Sequence, residues 1–180
     1  MVTKIFNAKT ITIRKLSDKD LRNVKKFQEF INSLIEEKPM ILMNKKVSLK
    51  EEVGWLKSRL EKVKKKNSVV LVAEYNNVII GNCHIDLQRG RSSHVGEFAT
   101  SIRNGYRGVG LGKYLMGEII KLAKKELKPR PKILRLSVFP INKPALALYK
   151  KFGFKSVARI PKQLEYKGKL MDEIVMIREL

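Results

Sequence analysis

The stretch from residue 94 to residue 139 restricts the fold of this chain more than any other. A β-prone run, about His94 to Ile102, leads into Arg107-Gly108-Val109-Gly110-Leu111-Gly112-Lys113. A helical pattern follows, with Leu111, Leu115, Ile119, Leu122 and Ala123 on one side. Ile133 to Phe139 then reads as another strand. Strand, helix and strand in that order predict one parallel crossover within a sheet, and such a crossover is right-handed.

The glycines also predict chemistry. Without Cβ atoms, their backbone N–H groups can approach a ligand closely, and the helix N-terminus adds a partial positive charge. Together these form a phosphate or pyrophosphate cradle, with Arg107 and Lys113 as mobile cations beside it. A tight strand-to-helix connection without a ligand is the plainer alternative, and three alternating glycines argue against it. A Walker A loop needs Ser or Thr after Gly-Lys, but Gly112-Lys113 precedes Tyr114. A dinucleotide fingerprint needs Gly-x-Gly-x-x-Gly and an acidic residue ending the next strand. This chain has Gly-x-Gly-x-Gly, and that strand ends in Phe139-Pro140.

Around this unit the sequence predicts a strand at Thr10–Arg14 and a helix capped at Ser17-Asp18-Lys19-Asp20. That helix places Leu21, Val24, Phe27, Ile31, Leu34 and Ile35 on its apolar face and stops at Lys38-Pro39. A second helix is expected from about Ser48 to Lys65. Ser68–Glu74 and Val78–Asp86 read as a hairpin turning at Asn76-Asn77. Asn142 caps a short helix with Pro144 in its first turn and Gly153 as its stop. Phe154–Glu165 and Leu170–Ile177 are two last strands joined around Lys167-Gly168. The order βααβββαβαββ makes a mixed α/β domain, and the absence of repeats or linkers predicts one domain over residues 1–180.

Composition narrows the setting. No run approaches the ~20 apolar residues of a membrane span, and the N-terminal Met1–Phe6 has no apolar h-region. Cys83 is the only cysteine, which excludes an intramolecular disulfide. These features predict a cytoplasmic protein with no membrane partner. The formal net charge of +22 attracts anions. The lysine runs lack the interleaved aromatics of a single-strand surface, so a solvated basic surface is favoured over nucleic-acid binding.

Two blocks then resemble a known family. Tyr106-Arg107-Gly108-Val109-Gly110-Leu111-Gly112 is similar to the GNAT superfamily signature (Gln/Arg)-x-x-Gly-x-(Gly/Ala), with Arg107, Gly110 and Gly112 at its fixed positions. Residues 138–154, from Val138 through Asn142, Ala145, Leu148 and Tyr149 to Gly153-Phe154, resemble its Asn…Ala-x-x-Leu-Tyr-x-x-x-Gly-Phe block. The resemblance implies a mostly antiparallel central sheet with one parallel βαβ crossover and helices on both faces. It also implies acetyl transfer from acetyl-CoA to a primary amine, without a metal. Gly108, Val109, Gly110, Leu111, Gly112 and Lys113 would hold the pyrophosphate, with Arg107 beside it. The backbone of Thr100, Ser101 and Ile102 would receive the pantetheine arm, one N–H polarising the thioester carbonyl. Asn142 would contact that arm, besides capping its helix, and Tyr149 would protonate the departing thiolate.

The base is less fixed by the resemblance. Some members carry a Glu on the strand before the Asn, where this chain has Ser137. Others place one early in the strand before the glycine turn, which Glu97 fits approximately; Asp86, His84 and His94 are weaker alternatives. Cys83 reads as a small buried hydrophobe, and His84-Ile85-Asp86 is too sparse for a metal site. The acceptor is an amine on a small molecule or a peptide N-terminus, selected by segments Glu37–Val47 and Ile160–Lys169. The +22 field disfavours polyamines, and an acidic patch of Glu97, Asp86 and Glu165 is the alternative that would admit them. A homodimer is compatible with all of this. An idle acyl-CoA sensor and a basic RNA-binding module remain as rivals.

Overall fold

A computed structural model describes residues 1–37 and 40–180. The expected helix stop at Lys38-Pro39 lies outside the described residues. One eight-stranded sheet carries the architecture, in the order β1-β2-β3-β4-β5-β6-β8-β7. Its strands are β1 (Val2–Phe6), β2 (Lys9–Lys15), β3 (Ser68–Tyr75), β4 (Val78–Leu87), β5 (Val95–Ile102), β6 (Ile133–Val138), β7 (Lys155–Tyr166) and β8 (Lys169–Glu179). The helices are α1 (Val24–Glu36), α2 (Leu49–Lys64), α3 (Leu111–Glu126) and α4 (Lys143–Lys151). β5 and β6 pair in parallel, and every other pairing is antiparallel.

The hairpin turns behave as their residues require. Asn76 and Asn77 adopt φ of 48° and 65°, and Lys167 and Gly168 adopt 52° and 73°. Two positive φ values match the twist of the flanking strands. Asn7 and Ala8 do the same, at 46° and 59°, and create β1, a strand the sequence reading did not include. Its residues are almost all exposed. It has no apolar alternation to detect, and pairing with β2 holds it from Val2↔Ile13 to Phe6↔Lys9.

The first helix also begins later than its periodicity suggests. Asp18–Asn23 is a 3₁₀ turn. The Asp20 carboxylate accepts from Ser17 N–H at 2.8 Å and from the Arg14 guanidinium at 2.7 and 2.9 Å. Arg14 also bonds Glu74 on β3, which fastens the turn to the sheet. A three-residue period there turns Leu21 outward, and Phe30 takes an inward place beside Val24, Phe27 and Leu34.

Two cores lie on opposite faces of the sheet. The larger joins Ile11, Leu71, Cys83, Ile85 and Phe98 to Leu111, Leu115, Ile119 and Ala123 of α3, with Leu134, Leu136, Tyr149 and Phe154. The smaller packs Phe27, Phe30 and Leu34 of α1 and Leu56 and Leu60 of α2 on Val70, Val72 and Ile79. Helices thus cover both faces. The parallel ladder is short: among the described residues its rungs are Val95↔Ile133, Gly96↔Leu134 and Glu97↔Arg135. Beyond Glu97, β5 continues for five residues and β6 for three without pairing to each other. The sheet therefore splits into two halves that part toward the end where α3 begins.

Candidate active site

The split opens directly at the glycine turn. Gly110 is the N-cap of α3 with φ 91°, and Gly108 has φ 76°. A Cβ at either position would meet nothing within 4 Å, so both glycines serve backbone conformation and leave the space above the turn open. Gly112 has another reason: a Cβ there would lie 3.3 Å from Ile102 Cδ1 and 3.7 Å from Leu148 Cδ2, so it lets α3 sit close to β5 and α4. Val109 packs against the core and Leu111 is fully buried. Each can therefore offer a ligand only its backbone. The first N–H groups of α3 have no intrahelical acceptor, and Lys113 is exposed beside them. This donor-rich terminus fits a pyrophosphate.

Arg107 differs from the mobile cation expected. Its Nε donates to the Ile102 carbonyl at 2.6 Å and its guanidinium pairs with Glu37. The other Glu37 oxygen accepts from Asn104 N–H at 3.0 Å. Glu37, the C-cap of α1, thus clamps the connection from β5 to the glycine turn. Sequence reasoning missed this role, because a contact across 70 residues leaves no local signal. Arg103 adds a second tie, donating from Nε to Ser33 Oγ at 2.6 Å.

Thr100, Ser101 and Ile102 pair with Cys83, Asn82 and Gly81 of β4 on one side, and the split lies on their other side. Asn142 caps α4, its Oδ1 accepting from Ala145 N–H at 3.3 Å, which leaves its amide nitrogen available. Tyr149 packs edge-on to Phe98, ring centroids 6.0 Å apart, and beside Phe154 at 6.2 Å. Burial, with Cys83 nearby, pushes its phenol up to about 12, so it stays protonated at physiological pH. Its hydroxyl has no hydrogen-bond partner among the described residues and is not sealed from solvent. The Cys83 thiol is pushed up by burial and is a core group.

Glu97, Ala99 and Ser101 lie on the opposite face from Phe98, the face α1 and α2 share. Glu97 Oε2 accepts from Arg135 at 3.2 Å and from Gln88 Nε2 at 3.1 Å. Asp86 is more fully occupied: Arg59 pairs with it, Lys62 Nζ lies 3.1 Å away and Ser68 Oγ donates at 2.6 Å. Glu165 pairs with Leu170 on the outer hairpin. The alternative of an acidic patch at Glu97, Asp86 and Glu165 gains no support, because cations match the first two and the third lies on the outermost strand. His84, next to Ala99 across the β4–β5 ladder, is pushed down to about 4 by burial and by Arg59. Its Nδ1 is buried without a partner among the described residues. Of the two segments expected to select the acceptor, the first is held at Val47, whose N–H and carbonyl bond the Asn32 side chain at 2.8 and 3.0 Å. The other, residues 160–169, is mostly strand, with its ladder broken between Ile160 and Leu164.

The geometry defines an α/β domain with a parted sheet and a glycine-built helix N-terminus at its mouth. The family model of the acetyltransferase (GNAT) family matches residues 28–154, and the chain belongs to that family. It is 33% identical over 109 residues to the L-amino acid N-acetyltransferase AaaT of Escherichia coli K12, an alignment covering 60% of this chain and 66% of that relative. A solved GNAT-family acetyltransferase from Streptococcus pneumoniae is 25% identical, with a TM-score of 0.81 over 94% of this chain and 99% of its own. The yncA structure from Salmonella typhimurium, solved with its cofactor acetyl-CoA, shares the fold at 21% identity and a TM-score of 0.77, covering 94% of each chain.

Proposed function

We propose that this protein transfers an acetyl group from acetyl-CoA to a primary amine, on an amino acid, another small molecule or a peptide N-terminus. The observation that carries this reading is the coincidence of the split with the glycine turn: β5 runs on past its last rung with β6 just before α3 offers its first N–H groups. Acetyl-CoA, when bound, supplies the acetyl group as a thioester. The N–H groups of residues 108–113 hold its pyrophosphate, and Thr100, Ser101 and Ile102 align its arm with β5. A backbone N–H of that strand stabilises negative charge on the carbonyl oxygen, in the manner of an oxyanion hole. Asn142 positions the arm from the other half of the sheet. Tyr149 gives the leaving sulfur its proton, and a carboxylate on the face opposite Tyr149 takes one from the amine, Glu97 at the last paired rung being the candidate from β5.

The E. coli relative acts on L-amino acids by its description, which supports a small acceptor bearing one amine. Charge points the same way. A chain with net charge +22 disfavours polycationic acceptors such as spermidine. The test is a thiol-release screen with acetyl-CoA against amino acids, N-terminal peptides and polyamines. Turnover is expected with neutral or acidic single-amine acceptors, with spermidine gaining ground as salt rises. Binding of acetyl-CoA without release of thiol for any acceptor would instead identify a sensor.

A further inference from the structure

Glu173 of β8 is among the few buried charged residues, with 9% of its surface exposed. Its side chain has no hydrogen-bond or ion-pair partner among the described residues. Its carboxylate oxygens are not sealed from solvent, so an unpaired anion in a largely buried side chain stays open to an incoming cation. In a chain with 39 Lys and Arg, the lack of a basic neighbour is all the more unusual.

The sheet register locates this group. Met176 and Leu136 face each other in the larger core, so Val175 and Glu173 lie on the opposite face, with Ser137 and Arg135. Ser137 pairs with Val175, so Glu173 lies one same-face step further, level with Phe139. On the other half, Glu97 pairs with Arg135. Counting outward in parallel, Ala99 is level with Ser137, and Ser101 with Phe139 and Glu173. Glu173 thus stands across the split from Ser101, on the face that carries Ala99 and His84. Two strand spacings, ~10 Å before the split widens them, separate the two strands. Glu97 lies four residues back along β5, ~13 Å toward the closed end.

Two other carboxylates on this face are engaged, whereas His84 Nδ1 beside Ala99 and the buried Glu52 of α2 have no side-chain partner among the described residues. Arg135 and Gln88 hold Glu97; Arg59, Lys62 and Ser68 hold Asp86. Asp172, on the other face of β8, is held by Arg159 and Lys162 N–H. We propose that Glu173 binds the acceptor's ammonium group and accepts its proton, and that the acceptor enters from the face of the sheet bearing Ala99. This rests on the acetyl-transfer reading and assigns the acceptor side of it. The proton passes from the ammonium nitrogen to the Glu173 carboxylate and then to solvent. The freed nitrogen pair forms the C–N bond while the C–S pair leaves with sulfur. That sulfur takes the Tyr149 proton, and the second proton lost by nitrogen restores the phenol.

The test compares Glu173→Gln and Glu97→Gln with the wild type, using two acceptor classes at neutral pH. Alkylamines, such as amino acids, arrive protonated; acyl hydrazides arrive neutral. Glu173→Gln is expected to lower kcat/KM for the alkylamine by roughly a hundredfold, within the range for a lost general base. It should change the hydrazide by less than about threefold, since a neutral nitrogen needs no such base, and leave acetyl-CoA binding by calorimetry unchanged. Glu173→Asp should keep part of the alkylamine rate. Equal losses for both acceptors would mean a structural role, and no loss for either, or the selective loss in Glu97→Gln alone, would also overturn the assignment. A wild type that turns over neither acceptor would defeat the transfer reading itself.

Discussion

Gly96→Ala tests how tightly the closed end of the split is built. Gly96 is the middle rung of the three that join β5 to β6. A Cβ at this position would lie 2.7 Å from Ile85 Cγ2 and 2.9 Å from Leu134 Cδ2, with Pro131 Cβ at 3.6 Å. Ile85 and Leu134 are both fully buried, so neither methyl has solvent to move into. Overpacking of this kind costs about 1–3 kcal/mol. Replacing a strand glycine recovers roughly 0.5–1 kcal/mol of unfolded-state entropy. The balance is a net loss on the order of 1–2 kcal/mol, equivalent to a fall in Tm of roughly 2–8 °C for a chain of this size. Gly54→Ala is the control: it stands exposed in α2 with nothing within 4 Å of its Cβ. That variant should raise Tm by a few degrees, since alanine favours a helix interior by about 1 kcal/mol. Calorimetric melts of the two variants beside wild type decide the matter. A Tm for Gly96→Ala at or above the wild-type value would refute the packing argument.

Tyr149→Phe should lower kcat by roughly ten- to a thousandfold, the scale of a lost proton donor, while acetyl-CoA affinity in calorimetry stays near wild type. An unaltered kcat with chemistry rate-limiting would assign the proton to another group. Gly110→Asp should abolish measurable acetyl-CoA binding, because φ of 91° strains any side chain and the carboxylate would oppose the pyrophosphate. Retained affinity with a native melt would remove the cradle from this turn. Glu52, buried in the first turn of α2, is raised by burial from 4.5 to about 7. The folded state therefore holds its proton more tightly than the unfolded state, and stability should decline as pH rises from about 4.5 to about 7. Urea midpoints of Glu52→Gln should lack that decline; an identical pH dependence in both proteins would contradict it.

Much of this was legible in the sequence because the informative signals are local. The glycine spacing fixed the start of α3, Asn142 and Pro144 fixed α4, and paired asparagines fixed the β3–β4 turn. The parallel crossover followed from the order of three adjacent elements. The features that stayed hidden depend on long-range neighbours. β1 is held by a ladder, with no apolar pattern of its own. Leu21 follows helical spacing but sits in a turn tightened by Arg14, Asp20 and Glu74. Arg107 fits a motif that marks its place, yet its guanidinium is committed to Glu37. Glu97 and Asp86 look alike as acidic residues, and only their partners show that neither is unencumbered. Glu173 had no motif at all; its burial and register single it out.

The outermost strand has a consequence for how the molecule behaves at high concentration. β7 is twelve residues long and lies at the end of the sheet, where one side of its backbone has no neighbouring strand among the described residues. A regular edge of that length would template the addition of another chain. Here the ladder to β8 shifts between Ser156 and Ala158 and again between Ile160 and Leu164. Pro161 removes one amide donor and Lys162 turns with φ 55°. The shifts twist and bend the strand, so an incoming segment would find matching donors and acceptors over only a few residues before losing step. Lysines at 155, 162, 167 and 169 add like-charge repulsion between copies. The irregularity of β7 thus acts as a guard against edge-to-edge polymerisation, and straightening it by deleting one bulge residue would trade solubility for a longer ladder.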